Sequence, residues 1–266
     1  MFAVPAATVL GQGTTALFLL HGVGGGKEAW QANQPAWADA GYRALAWDAP
    51  GYGASTPVDP CNMTGLARAL ERLIDQTAAV TNVLVSHSMG GMVAQQAAAL
   101  FPEKIHGLVL SATSPSFGPP GSGWQQNFLR ERFAPLDAGL GMAGLARQLV
   151  PAMMAPGSDA TRQAPAAALM SGVPEASYRA ALAAIVEFNQ LDNLPLIGVP
   201  TLCLAGEHDR NAPPSVLRKM AERIPGAQYA CIPGVGHLAN MEAPAAFNAV
   251  VLEFLQQHFP ARGGPA

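Results

Sequence analysis

Short apolar runs alternate with longer stretches of helical periodicity along most of this 266-residue chain. The runs cover residues 16–20, 43–47, 82–85, 107–110, 201–205 and 228–232. Each is too short for a convincing helix and is bounded by glycine, proline or polar residues, the pattern of a buried strand. Between them lie helical patterns over residues 28–40, 64–77, 89–100, 214–224 and 243–258. Parallel strands need long crossovers, and helices serve both as crossovers and as covers for the sheet. The expected fold class is therefore α/β, a mostly parallel central sheet with helices on both faces.

The alternation stops between Ser114 and Leu194. A loop-like stretch rich in Pro, Gly and Ser, residues 114–123, opens this segment. Helical patterns follow over residues 124–133, 139–154, 160–170 and 175–188, with no strand among them. The expected organisation is a core of residues 1–113 and 195–266 that carries a helical insertion, residues 114–194. Residues 260–266 read as a frayed tail.

Composition narrows the function classes. Half of the residues are hydrophobic and only 12% are charged, so the chain can bury a large core. The formal net charge is −3 with no basic tract, which argues against nucleic acid. The three cysteines, Cys61, Cys203 and Cys231, are far apart and form neither a disulfide framework nor a zinc motif. They read as reduced packing residues. No apolar run reaches the ~18 residues of a membrane span, and residues 1–10 lack a basic leader, so a cytoplasmic location is expected.

The sharpest chemical signal is Val83-Leu84-Val85-Ser86-His87-Ser88-Met89-Gly90-Gly91. An apolar strand runs directly into a small-x-Ser-x-Gly turn, and a helix follows. A serine on so tight a turn projects its hydroxyl away from the backbone, and the crowding demands small residues two before and two after it. Gly90 meets this demand, and Ser86 replaces the usual first glycine. Ser88 is thus the candidate nucleophile, with a plain helix cap as the bland alternative.

The first strand ends in His21-Gly22-Val23-Gly24-Gly25-Gly26. Consecutive glycines let backbone N–H groups approach a ligand. A phosphate loop is the rival, but Glu28 rather than Ser or Thr follows Lys27. An oxyanion hole fits better, built from the N–H groups of Val23 and Met89. A glycine turn without a role is the bland reading. His21 is expected to hold this loop.

A general base belongs where loops leave the carboxyl ends of the strands. His237 follows the strand at 228–232 and a Pro-Gly turn, and is the best candidate. His106 precedes its strand, His258 lies in the last helix, and the side chain of His87 should diverge from that of Ser88. Asp209 follows the strand at 201–205 and completes the order Ser, Asp, His. Glu207 and His208 compete with it, and a surface turn is its bland alternative. In this scheme Ser88 attacks a carbonyl, His237 moves the proton, and Asp209 orients the imidazole. No metal or organic cofactor is required, and no HExxH, HxH or cysteine pair suggests a metal site.

The motifs together resemble the α/β-hydrolase superfamily over nearly the whole chain. They are His21-Gly22-Val23-Gly24-Gly25 with Trp30, Trp47-Asp48-Ala49-Pro50-Gly51-Tyr52-Gly53, Ser86–Gly91, Gly206-Glu207-His208-Asp209 and Gly236-His237. The resemblance implies the α/β-hydrolase fold, a helical lid at residues 114–194, and a leading hairpin reduced by the few residues before Ala16. Tyr178-Arg179-Ala180-Ala181-Leu182-Ala183-Ala184-Ile185 and Leu191-Asp192-Asn193-Leu194 look like 3-oxoadipate enol-lactonases and their esterase relatives. That implies a small ester or lactone substrate. Epoxide hydrolases and haloalkane dehalogenases share the scaffold but use an aspartate where this chain has Ser88.

Trp124, Phe128, Phe133, Met142, Leu149, Met153 and Met154 are candidates for an apolar pocket roof, although for each one singly packing of the lid onto the core is the better reading. Trp124, Phe128, Met142 and Met153 are the preferred four. Arg130, Arg132 and Arg147 are candidates for a substrate carboxylate, with solvated surface as the alternative. The expected activity is a serine hydrolase of carboxylic esters or lactones. A carbon–carbon bond hydrolase of ring-cleavage products and a non-catalytic small-molecule-binding protein are the other readings.

Overall fold

A computed structural model describes residues 3–118 and 123–261. Residues 119–122 of the expected loop and 262–266 of the expected tail lie outside the described residues. Seven strands form one sheet: β1 (Ala7–Leu10), β2 (Thr15–Leu20), β3 (Arg43–Trp47), β4 (Thr81–His87), β5 (Gly107–Ser111), β6 (Thr201–Gly206) and β7 (Gln228–Ile232). Their order is β1-β3-β2-β4-β5-β6-β7. β1 pairs antiparallel with β3 and every other pair is parallel.

The helices are α1 (Gln34–Asp39), α2 (Met63–Thr77), α3 (Met89–Leu100), α4 (Gly123–Asp137), α5 (Gly141–Met153), α6 (Ala160–Ser171), α7 (Glu175–Val186), α8 (Pro214–Arg223), α9 (Ala239–Glu242) and α10 (Pro244–His258). Successive strand residues point to opposite faces. Leu17, Leu19, Val83 and Val85 therefore pack with Trp30, Trp37, Phe247 and Phe254 on one side. Phe18, Leu20 and Leu84 pack with Leu66, Leu70, Val93 and Leu217 on the other. Both faces are covered, which is why the central strands are continuous apolar runs rather than alternating ones.

Two expectations need correction. The leading structure is a strand, β1, at the sheet edge; it pairs with β3 rather than folding back on β2. Its half-exposed Val9 and Leu10 leave no periodic apolar signature. The helix expected over residues 28–40 is a 3₁₀ turn, Lys27–Trp30, followed by α1, with Pro35 in the first turn of α1. Proline suits a helix start and cannot donate to the carbonyl a turn earlier, so the pattern divides there.

After β2 the chain moves outward to β3 and then returns to β4 on the other flank of β2. The carboxyl ends of β2 and β4 flank this reversal, where the connecting loops part and leave a crevice. Leu20 is in register with Ser86, so the glycine loop after β2 and the turn after β4 begin side by side. The segment between β5 and β6 contributes α4 to α7 and no strand of the sheet. Among the described residues no helix is long and apolar enough to cross a membrane.

Candidate active site

Ser88 sits between β4 and α3 with φ 53° and ψ −117°, a conformation that non-glycine residues rarely adopt. Such strain costs on the order of 1–3 kcal/mol and persists only where the surroundings impose it. Those surroundings are visible. The Ser88 N–H donates to the Ser111 carbonyl at 2.9 Å, and Thr113 Oγ1 donates to the Ser88 carbonyl at 2.8 Å. A Cβ on Gly90 would overlap the Leu20 carbonyl, so the turn requires glycine there. Ser86 is fully buried, and its hydroxyl donates to the Val109 carbonyl at 2.6 Å. The serine that replaces the usual glycine is therefore a satisfied polar group.

The Ser88 hydroxyl donates to His237 Nε2 at 3.0 Å, and His237 Nδ1–H donates to Asp209 Oδ2 at 2.9 Å. The second carboxylate oxygen of Asp209 accepts from the N–H groups of Asn211 and Ala212 at 2.8 and 3.0 Å. Burial pushes the Asp209 carboxyl upward, but the adjacent His237 and these hydrogen bonds outweigh it and hold the pKa below its ordinary value. Glu207 and His208 point away from this row. Glu207 Oε2 accepts from Gly234 N–H, and both side chains are exposed.

The His237 loop is held from several sides. Its N–H donates to the carbonyl of Met153, the last residue of α5, at 2.7 Å. Glu242 accepts from Gly236 N–H and Ala155 N–H at 2.9 and 2.8 Å, clamping the loop to the inserted helices. His87 Nε2 lies 2.8 Å from the His237 carbonyl, and the two rings are 4.9 Å apart. Burial, then the neighbouring His237, lowers the His87 pKa to about 3. A neutral His87 with its proton on Nε2 is the form that donates to that carbonyl. From the sequence, the His87 side chain is expected to diverge from that of Ser88 at the tight turn. The two do diverge, but the His87 ring packs against the His237 ring. Its signal in the sequence was a histidine in an otherwise apolar run beside the turn.

The glycine loop is similarly braced. The Ala49 N–H donates to His21 Nε2 at 3.0 Å, and His21 Nδ1–H donates to the Gly22 carbonyl at 2.8 Å. Burial lowers the His21 pKa, in keeping with this neutral role. Tyr52 Oη donates to the Val23 carbonyl at 3.0 Å. Asp48, buried behind the loop, accepts from Lys27 Nζ at 2.6 Å and from the Lys27 and Ala54 N–H groups. Neither the Val23 nor the Met89 N–H donates within the turn and loop hydrogen bonds, and the first N–H groups of a helix have no intrahelical acceptor.

A cavity of about 360 Å³ opens over Ser88 and His237. Val23, Phe117, Trp124, Phe128, Leu149 and Met153 are among its apolar walls, and Arg132, Tyr178, Arg210 and Asn211 supply polar groups. Of the four residues preferred from the sequence, Trp124, Phe128 and Met153 line this cavity. Met142 does not: it is buried in the hydrophobic core. It lies seven residues before Leu149 on α5, about 10 Å along the axis at ~1.5 Å per residue. Phe133 and Met154 are also absent from the walls; Phe133 carries the Arg179 guanidinium over its ring. Of the three arginines considered, only Arg132 lines the cavity. Cys203 is buried as expected, whereas Cys231 is exposed and packs no core. Among the described residues no group of three or more His, Cys, Asp or Glu side chains is placed to hold a metal ion.

Comparison with known proteins gives this geometry a context. The chain is 31% identical over 255 residues to the dihydrolipoyllysine-residue acetyltransferase component of the acetoin cleaving system of Pseudomonas putida, covering 93% of this chain and 65% of that protein. It spans only 11% of another relative, polyketide synthase ThaQ of Burkholderia thailandensis. It is 28% identical to a 2-hydroxy-6-oxononadienedioate/2-hydroxy-6-oxononatrienedioate hydrolase of a Pseudomonas species, covering 92% of this chain and 89% of that one. A malate-bound structure of a thermophilic esterase from Thermogutta terrifontis superposes with a TM-score of 0.86 at 26% identity, over 95% of this chain and 93% of that one. The alpha/beta hydrolase fold family matches residues 15–244. The chain belongs to the α/β-hydrolase fold family.

Proposed function

We propose that the protein hydrolyses carboxylic esters or lactones through an acyl-enzyme on Ser88. The observation that carries this reading is the continuous row from Ser88 through His237 to Asp209, at 3.0 and 2.9 Å. Both separations are within hydrogen-bond reach for a nucleophile, its base and the group that orients the base. The base accepts the serine proton as Oγ attacks the carbonyl, then returns it to the leaving alcohol, and water releases the acyl group by the same route. Asp209 fixes the tautomer that leaves Nε2 free to accept. The N–H groups of Val23 and Met89 receive the developing oxyanion, and loss of one such donor costs about 2.7–4 kcal/mol of barrier. Residues 114–194 act as the lid, whose apolar side chains exclude water from the acyl group.

A test is turnover of a panel of short p-nitrophenyl esters and simple lactones by the purified protein. Hydrolysis of at least one class is expected. The similarity to a 2-hydroxy-6-oxononadienedioate/2-hydroxy-6-oxononatrienedioate hydrolase accompanies the second reading, carbon–carbon cleavage by the same row. Turnover of a vinylogous 1,5-diketone with none of any ester or lactone would replace the first reading with the second.

A further inference from the structure

The cavity over Ser88 is lined mostly by apolar side chains, and none of its lining residues is Asp or Glu. Against that wall stand two polar groups with no partner among the described residues. Arg132, half-buried, forms no ion pair among the described residues and rests its guanidinium over the Phe128 ring, 5.2 Å from the centroid. A guanidinium carries five N–H donors and no acceptor, and a ring face satisfies none of the donors by hydrogen bonding. Tyr178 is 98% buried, lines the same cavity, and its hydroxyl donates to no described residue. Arg132 and Tyr178 line this one cavity together. The exposed Arg210 adds a second positive charge to the lining.

Other charged groups nearby are already engaged. Arg179 pairs with Asp137 and Glu175, and Lys27 with Asp48. Arg130, two residues before Arg132 on α4, is held by Asn127. Arg132 and Arg210 both line the cavity without an anion among the described residues, and Arg132 is the half-buried one of the two.

We infer that Arg132 and Tyr178 form a subsite for a carboxylate carried by the substrate at the end remote from its scissile carbonyl. This rests on the ester-hydrolase reading and narrows it to half-esters of dicarboxylic acids and to lactones that bear a free carboxylate. A carboxylate is costly to bury without a counter-charge. An Arg fork donates to both its oxygens, and a tyrosine hydroxyl adds a neutral donor. The apolar side chains that line the same cavity suit the methylene chain that separates the two ends.

The test compares monoethyl suberate with ethyl octanoate, which has a methyl group in place of the remote carboxylate. Wild type should favour the half-ester in kcat/KM by at least tenfold. Arg132→Gln should reduce this ratio at least tenfold and Tyr178→Phe severalfold, chiefly through KM, whereas Arg147→Gln should preserve it. Circular dichroism and melting verify that each variant is folded, and Arg132→Lys, which keeps the charge, should retain part of the ratio. A wild-type preference for ethyl octanoate, or a ratio unchanged in folded Arg132→Gln, overturns the subsite. Calorimetric binding of suberate and octanoate to Ser88→Ala separates the two levels of inference. Arg132-dependent suberate binding without turnover of any ester keeps the subsite and rejects ester hydrolysis. Turnover of ethyl octanoate with no suberate binding does the reverse.

Discussion

His87 should make the fold acid-sensitive by a calculable amount. Its pKa in the fold is about 3, against an ordinary value of 6.5, because burial and then the adjacent His237 disfavour its charged form. As pH falls from 7 to 5, the unfolded chain takes up a proton at this residue and the fold does not. Stability rises with pH wherever the unfolded state binds more protons, so here it is lost on acidification. The loss from His87 is roughly 2 kcal/mol between pH 7 and pH 5, and roughly 4 kcal/mol by pH 3, where the folded residue is itself half protonated, at ~1.36 kcal/mol for each pH unit over which only the unfolded chain takes up the proton. The perturbation is His87→Gln, which removes the titrating group and retains a donor for the His237 carbonyl. Urea unfolding of both proteins at pH 7 and pH 5 measures the difference. His21 contributes in the same direction but is present in both proteins and cancels. The wild type should lose about 2 kcal/mol more than the variant on acidification. Equal losses would mean that His87 titrates normally in the fold, and the reasoning about its buried neutral ring would be wrong.

Asp209→Asn should keep the fold and lower kcat about 10⁴-fold. With the amide oxygen on the Asn211 and Ala212 N–H groups, its NH₂ faces His237 Nδ1 and drives the imidazole proton to Nε2, where Ser88 can no longer donate. Steady-state turnover within tenfold of wild type would place the orienting acid elsewhere. Ser88→Gly should abolish turnover yet raise stability by about 1 kcal/mol, because glycine tolerates the positive φ at this turn; a lower melting temperature would refute stored strain. Glu242→Gln should lower kcat about tenfold, because one of the two N–H groups it clamps then meets a donor. A fall in melting temperature with unchanged kcat would make Glu242 a structural clamp only.

The order of strands and helices was legible because both faces of the sheet are buried, so each central strand announces itself as an apolar run. The edge strand β1 was not, since a half-exposed edge needs no periodic apolar face. The turn at Ser88 was legible because its crowding restricts composition at Ser86 and Gly90, a constraint written in adjacent residues. Asp209 and His237 were legible by their position after strands. The walls of the cavity were less so. Met142, Leu149 and Met153 share one face of α5, and periodicity alone does not say how far along that face the cavity extends. The contacts of His87 with His237 and of Glu242 with the end of α5 join residues distant in sequence, and no local pattern records them.

Replacement of the Ser88 hydroxyl tests the central claim most directly. Hydrolysis of a p-nitrophenyl ester is followed with wild type and Ser88→Ala at matched concentration, both verified as folded. Turnover in the wild type and only background release in Ser88→Ala is the predicted result. Equal release by both would contradict Ser88 as the nucleophile and, with it, the acyl-enzyme route.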